Sequence, residues 1–212
     1  MGSIVTEPAL ADLLLPTLLP NSPVGHIRMR ADALPTNVFG SNVRGIARES
    51  EWDRIRLAVS ARAGKRCQIC GGESFGPKRR VQHPDCHEIW RFELREGGVV
   101  QVLAGLIALC KKCHNTQHVG RALDLEEVKE ALVEVNGWSY ADAHDDVRRA
   151  FAKSAQLKDH PIDLDLSLLR GQLQILGSPD LKFTAAERTT LGNSWTRARP
   201  SPQATELDIE LT

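Results

Sequence analysis

Four of the five cysteines stand in two short pairs, and this spacing constrains the fold more than any other feature of the chain. The pairs are Cys67-Gln68-Ile69-Cys70 and Cys110-Lys111-Lys112-Cys113. Two residues between cysteines let one tight turn direct both sulfurs to the same ion, and two such turns complete a tetrahedral shell for zinc. The spacing therefore predicts a structural zinc site formed by Cys67, Cys70, Cys110 and Cys113.

The loop that such a site would close is long. Between Cys70 and Cys110 lie 39 residues, more than a minimal zinc ribbon needs, so a folded segment must lie inside it. Two disulfides, or free buried thiols, are the alternative interpretation. Paired cysteines without a secretory context are more typical of a metal site than of disulfides.

Charge is balanced overall but segregated along the chain. The sequence holds 27 basic and 27 acidic residues. Residues 44–80 contain ten Lys or Arg against four Asp or Glu, whereas residues 122–166 contain five against eleven. A basic stripe beside a metal site suits binding to a phosphate backbone, although a charge run can also be an ordinary solvated face.

The chain shows no signal for export or for a membrane. No window approaches eighteen uninterrupted apolar residues, so we expect no membrane partner. The first 25 residues lack a basic start and are broken by four prolines, which is not the pattern of a signal peptide. We therefore expect an intracellular, cytoplasmic protein with reduced cysteines.

Periodicity and turn residues predict the elements around the cysteine pairs. A helix is predicted over residues 51–63, with Ser50 as its cap. Residues 81–93 and 99–103 read as two strands of a β-hairpin that carries His87. A further helix is predicted to begin near Cys113. It would carry His114 and His118 on one face, because residues four apart are neighbours on a helix.

The remaining segments divide the chain. Residues 1–45 are predicted to be an irregular N-terminal arm, and residues 46–121 a zinc-stabilised core. Helices at 125–135, capped by Asp124, and after Ser139 predict a helical extension over residues 122–180, in which 162–176 is ambiguous between helix and strand. Residues 181–212 are predicted to be a polar, partly disordered tail.

The order of these features resembles a known family, the HNH (His-Asn-His) endonucleases. Their core is a ββα-metal finger, and many members hold a structural zinc with two Cys-x-x-Cys pairs. The matching residues here are the four paired cysteines, His87 and His114. The resemblance implies an α+β fold with an HNH-like ββα-metal core, an N-terminal helix before it and helices after it.

Further motifs are similar to one subgroup of that family. They are Cys-His-Glu-Ile-Trp at residues 86–90, Gln-Val-Leu-Ala-Gly-Leu-Ile-Ala-Leu-Cys at 101–110 and Cys-His-Asn-Thr-Gln-His-Val-Gly at 113–120. Asn-Val-Arg at 42–44 and Val-Asn-Gly-Trp at 135–138 also match. The resemblance therefore covers about residues 35–170.

The resemblance implies metal-dependent hydrolysis of DNA phosphodiester bonds. Such sites combine one divalent metal, here Mg²⁺, Mn²⁺, Ni²⁺ or Zn²⁺, with a histidine as general base. His87 falls at the position of the base, and His114 and His118 fall where the helix supplies metal ligands. Double-stranded DNA is the expected partner, with phosphate contacts predicted from Arg79, Arg80, Lys111 and Lys112.

Two positions depart from the family pattern. The middle Asn, which orients the catalytic histidine, is replaced by Gly105, and Gln101 is a candidate substitute. The residue before the base, usually a metal ligand, is Cys86, whose thiolate would favour a softer ion than magnesium. A shifted register would make His87 a ligand and Glu88 the base or a further ligand. A catalytically inactive zinc module that binds nucleic acid or a protein is the alternative function.

Overall fold

A computed structural model of the protein describes residues 9–23, 25–75, 80–175 and 178–196, and it is a mixed α+β structure, as predicted. The helices are α1 (Leu10–Leu13), α2 (Val43–Ile46), α3 (Glu49–Arg62), α4 (Lys111–Asn115), α5 (Leu125–Asn136), α6 (Tyr140–Leu157) and α7 (Ala185–Thr196). The strands are β1 (Ser74–Phe75), β2 (Val81–Gln82), β3 (Asp85–Arg95), β4 (Gly98–Leu109), β5 (Ile162–Asp165) and β6 (Lys182–Phe183).

The strands form two sheets. β1 and β2 make a small antiparallel ribbon. In the larger sheet the order is β3-β4-β5-β6, with β3 antiparallel to β4, β4 parallel to β5 and β5 antiparallel to β6. β3 and β4 are the hairpin predicted from the sequence. It is longer than expected, because residues 104–109 continue the second strand up to the second cysteine pair.

Helix boundaries follow local capping. Gly137, with a φ of +67°, ends α5, and Ser139 and Asp142 cap each other at the start of α6. α3 begins at Glu49 rather than Glu51, so the prediction of Ser50 as its cap was wrong. Arg48 stands at the cap position, and its backbone nitrogen donates a hydrogen bond to the Glu51 carboxylate at 3.0 Å. Within the described ranges, no helix is both long and apolar enough to cross a membrane.

The N-terminal arm has little regular structure, yet it is built into the core. Met29, Ala31 and Ala33 are almost fully buried. The Asn136 side chain accepts a hydrogen bond from the Met29 nitrogen at 3.1 Å and donates one to the Met29 oxygen at 2.6 Å. Asp146 on α6 accepts from the Ala31 nitrogen at 2.6 Å. Side chains of α5 and α6 thus replace the backbone partners that the arm lacks.

After α6 the chain returns to the sheet. Residues 162–176, for which the sequence predicted either helix or strand, contain β5 and a 3₁₀ turn over Ser167–Leu169. Part of the tail is ordered as β6 and α7, and the rest, residues 197–212, lies outside the described residues. Buried Arg188 on α7 donates from Nε to Ser41 Oγ at 2.6 Å and from a terminal nitrogen to Gln101. α7 therefore supports the arm just before α2.

Two apolar clusters fill the interior. One contains Met29, Ile69, Ile107 and Leu132 and lies under the cysteine pairs, and the other contains Trp90, Phe92, Leu164 and Phe183 across the larger sheet. Each cluster contains residues from at least three of the four segments that were predicted from the sequence. The division of the chain into those segments stays a prediction.

A buried ion pair generates a stability prediction. Lys153 on α6 pairs with Asp32 of the arm, and both side chains are at most 5% exposed. Replacing Lys153 with Ala leaves the Asp32 charge buried without its partner. We expect a loss of about 3–5 kcal/mol in the free energy of unfolding, measured by urea denaturation.

Lys158→Ala is the matched control, because Lys158 follows the same helix but is exposed. A surface substitution of this kind should change the free energy of unfolding by less than about 0.5 kcal/mol. Equal effects of the two substitutions would show that the Asp32–Lys153 pair does not anchor the arm.

Candidate metal centres

The first cysteine pair is held in a tight turn at the end of β4. The Cys67 nitrogen donates to the Gly72 oxygen and the Gly71 nitrogen to the Cys67 oxygen, each at 2.9 Å. Gly71 has a φ of +75°, which a residue with a side chain rarely adopts. Gln68 is joined to Ala108 of β4 by two hydrogen bonds of 2.9 Å, so the turn is fixed to the strand.

The four cysteines converge as the spacing predicts. Cys110 precedes α4 directly and Cys113 lies within it, and the four sulfurs all lie within 4.8 Å of one another. Cys70 Sγ and Cys110 Sγ are 3.7 Å apart. With Zn–S bonds of about 2.3 Å, tetrahedral geometry places two sulfurs about 3.8 Å apart. The cluster can therefore hold a metal such as zinc.

The acid–base properties of the four thiols also favour a bound cation. Hydrogen bonding from Cys110 lowers the pKa of Cys70 to about 7, whereas hydrogen bonding to Cys110 raises the pKa of Cys113. Four crowded sulfurs cannot all become thiolates unless a positive charge compensates them. A divalent ion supplies that charge and deprotonates the thiols that bind it.

Three histidines form a second group beside the cysteines. His87 on β3 pairs with Ile107 of β4, and His114 and His118 follow the second cysteine pair. One ring nitrogen from each histidine lies within 4.8 Å of the others. The ring centroids are 4.7–5.0 Å apart and the ring planes meet at 76–85°, so the rings surround a common point.

The spacing of the nitrogens fits a metal ion. His114 Nε2 and His118 Nε2 are 3.2 Å apart. Two nitrogens bound tetrahedrally at about 2.0–2.1 Å would be about 3.3 Å apart. Burial is the main cause that lowers the pKa of His87 well below its usual range and the pKa of His118 to about 3. Both rings are thus neutral at pH 7, the form that binds metals.

His118 reaches this point by a route that the helical prediction missed. α4 ends at Asn115, and a 3₁₀ turn follows in which His118 has non-helical angles, φ −137° and ψ 39°. The arm interrupts the helix, because the Asp32 nitrogen donates to the Thr116 oxygen and the Val119 nitrogen donates to the Asp32 oxygen. These bonds replace those that a continuing α-helix would make.

Asp85 completes the histidine group and was not found from the sequence. Its Oδ2 is 3.3 Å from His114 Nδ1, and the hydrogen bond from His114 lowers the pKa of Asp85. A carboxylate on the outer nitrogen of a metal-binding histidine fixes the ring and its tautomer. The available signal was its position two residues before His87, which places both side chains on the same face of a strand.

Cys86 and Glu88 do not join the histidine group. Burial raises the pKa of the Cys86 thiol to about 12, so it stays protonated. Glu88 is buried, which raises the pKa of its carboxyl, and its Oε1 accepts a hydrogen bond from the Val43 nitrogen at 3.0 Å. Glu88 thus attaches the start of α2 to β3, beside the histidines.

The residues predicted to contact phosphate are scattered. Lys111 Nζ lies 3.4 Å from Asp85 at the histidine group, but Lys112 pairs with Glu134 on α5. Arg80 is exposed, and Arg79 lies outside the described residues. Gln101 lies far along β4, opposite Phe92 and bound to Arg188, so it cannot replace the family's Asn beside His87.

The histidine group opens into a polar cleft of about 720 Å³. Its walls come from α2, α3, the β2–β3 connection, β3 and the turn after α4. Asp85, His83 and the three grouped histidines line the cleft. Three arginines from separate elements also line it: Arg44, Arg56 and Arg121. Sequence spacing alone did not predict that these residues line one cleft.

Comparison with models of known protein families, with curated proteins and with solved structures finds no match to this chain.

The four-sulfur cluster leads to a prediction about metal content. Cys113→Ser should remove about one bound zinc per chain and destabilise the fold strongly, since binding to a structural zinc site also stabilises folding. Zinc content by mass spectrometry and thermal unfolding are the measurements. Cys86→Ala, which changes the fifth cysteine, is the control and should retain that zinc. Unchanged zinc content in Cys113→Ser would contradict the cluster.

Asp85 leads to a separate prediction. Asp85→Ala should weaken metal binding at the histidine group about 10–100-fold, because His114 loses the partner that orients it. Titration with Co²⁺ of protein that holds one zinc per chain, followed by absorbance, measures this second site. Glu134→Ala, which removes the carboxylate partner of Lys112, should leave that affinity unchanged. Equal Co²⁺ affinity in wild type and Asp85→Ala would assign Asp85 no such role.

Proposed function

We propose that the protein is a metal-dependent HNH-type endonuclease that hydrolyses phosphodiester bonds of double-stranded DNA. The cysteine cluster would hold a structural zinc, and the histidine group a second divalent ion. The observation that carries the proposal is the convergence of His87, His114 and His118 at the base of an open polar cleft. They lie on a β-hairpin and on the segment that follows it, next to the cysteine cluster.

Charge around the cleft supports a phosphate-containing substrate. Arg44 and Arg121 are exposed at the cleft, and their guanidinium groups make no hydrogen bond or ion pair with another described side chain. Arg56 also lines the cleft, paired with Asp53 at 2.6 Å. Guanidinium groups bind phosphate oxygens with two parallel hydrogen bonds. Arginines on separate elements could therefore contact successive phosphates of one strand.

The ligand set indicates which metals to test first. Three neutral imidazoles suit zinc and nickel, whereas magnesium prefers oxygen ligands. A divalent ion bound there would stabilise negative charge on the phosphate and on the leaving oxygen. The protein's own residues position these groups. Asp85 orients the His114 ring, and Glu88 attaches α2, which carries Arg44, to β3.

In this proposal His87 is a metal ligand rather than the general base. Its ring is 4% exposed and packed against both other histidines, which leaves it little access to a substrate water. This agrees with the shifted register in which His87 binds the ion. Glu88 does not take over as base, because its carboxylate is buried and bonded to the backbone of α2.

Cleavage of supercoiled plasmid tests the proposal. Wild-type protein with Zn²⁺, Ni²⁺ or Mn²⁺ should nick or linearise the plasmid, with less activity in Mg²⁺. His114→Ala should lower the rate at least about 100-fold, because it removes a ligand from the ion while leaving the cysteine cluster intact. His144→Ala is the matched control, since His144 lies on α6 and does not line the cleft. Equal rates for wild type and His114→Ala would reject the histidine group as the active site.

A non-catalytic metal module that binds nucleic acid or protein is the second candidate, and Gly105 favours it. Gly105 lies opposite Ile89, and a Cβ placed there would lie 3.3 Å from Ile89 Cδ1. The Asn of the family pattern would therefore require Ile89 to shift. Salt-dependent DNA binding without cleavage by any metal tested would support this function instead.

A further inference from the structure

The cleft contains a fourth histidine that the metal group does not use. His83 lies between β2 and β3, is exposed, and lines the same cleft as His87, His114 and His118. With His87 assigned to the ion, His83 is the remaining imidazole among the described residues of the cleft. An imidazole with a free nitrogen lone pair can accept a proton from water.

One nitrogen of His83 is held in place from α3. Its Nδ1 lies 2.8 Å from Oγ of Ser60, a side chain that is 2% exposed. When Nδ1–H donates to this oxygen, the tautomer is fixed and Nε2 keeps a free lone pair. In catalytic sets the base is commonly oriented by a third group, and Ser60 can orient His83 in this way.

The other proton acceptors of the cleft are engaged or weaker. Asp53 pairs with Arg56, and Asp85 holds His114 and Lys111. Glu88 is bonded to the α2 backbone. Glu49 also lines the cleft, but a carboxylate is intrinsically a weaker base than an imidazole.

We propose that His83 is the general base of the phosphodiester hydrolysis, a role that rests on the proposed nuclease function. Nε2 accepts a proton from a water molecule as the water oxygen forms a bond to phosphorus. The bond between phosphorus and the 3′ oxygen breaks, and that oxygen leaves with the bonding electrons and is protonated by solvent. His83 then returns its proton to solvent, and the products are a 5′ phosphate and a 3′ hydroxyl.

The separation of His83 from the histidine group fits this chemistry. In an in-line displacement the attacking and leaving oxygens stand on opposite sides of phosphorus. The base and the metal centre therefore face each other across the phosphate rather than touch. His83 lines the cleft from the connection before β3 and lies outside the group of three converging histidines.

Two substitutions test His83 in the full-length protein that holds one zinc per chain, with Mn²⁺ as the added metal. His83→Ala should lower kcat for plasmid cleavage about 10²–10⁴-fold, the usual contribution of a general base. KM, Mn²⁺ affinity and DNA affinity by fluorescence anisotropy should stay within about twofold, because His83 is not assigned to metal or DNA binding. Ser60→Ala should lower kcat by a smaller factor, since the imidazole remains but loses its anchor.

Added imidazole separates a catalytic role from a structural one. It should restore part of the activity of His83→Ala but none to His114→Ala, with wild type in the same imidazole as the control for metal chelation. If wild type cleaves and His83→Ala retains its kcat, or loses it without rescue, His83 is not the base while the nuclease function stands. If wild type does not cleave the plasmid with any of the metals tested, the proposed function fails, and the role of His83 fails with it.

Discussion

Four sulfurs from two turns share one small volume, and the positions of the site residues depend on that convergence. The first turn is bonded to the end of β4, and the second continues directly from that strand into α4. Because β3 is paired with β4, fixing the end of β4 also fixes His87 relative to His114. The cysteine cluster and the sheet register together bring the histidines to one point.

The arm and helices α5 and α6 are part of the support for this site. Asp32 of the arm takes the backbone bonds that would otherwise continue α4, and this places His118 toward the other two histidines. α6 holds Asp32 through Lys153, and α5 holds Met29 through Asn136. A segment with little secondary structure thereby determines the position of a side chain of the histidine group, through hydrogen bonds that local propensity does not encode.

The proposed chemistry divides four histidines by their surroundings. Three are packed around a common point and are suited to hold an ion, whereas His83 is exposed and anchored by Ser60. The family pattern assigns the base to His87, but burial and close contact with two other rings favour a ligand.

Local spacing was sufficient for the cysteine pairs, the β-hairpin, the caps at Asp124 and Ser139, and the choice of His87, His114 and His118. Each of these depends on neighbours a few residues apart, whose geometry the backbone fixes. Asp85, the cleft arginines, His83 with Ser60, and the engagement of Glu88 by Val43 depend on contacts between residues distant in sequence. The sequence by itself therefore determined which side chains could bind metal. Only the tertiary structure decided which of them converge and which remain free for chemistry, because strand register and the packing of the arm set those distances.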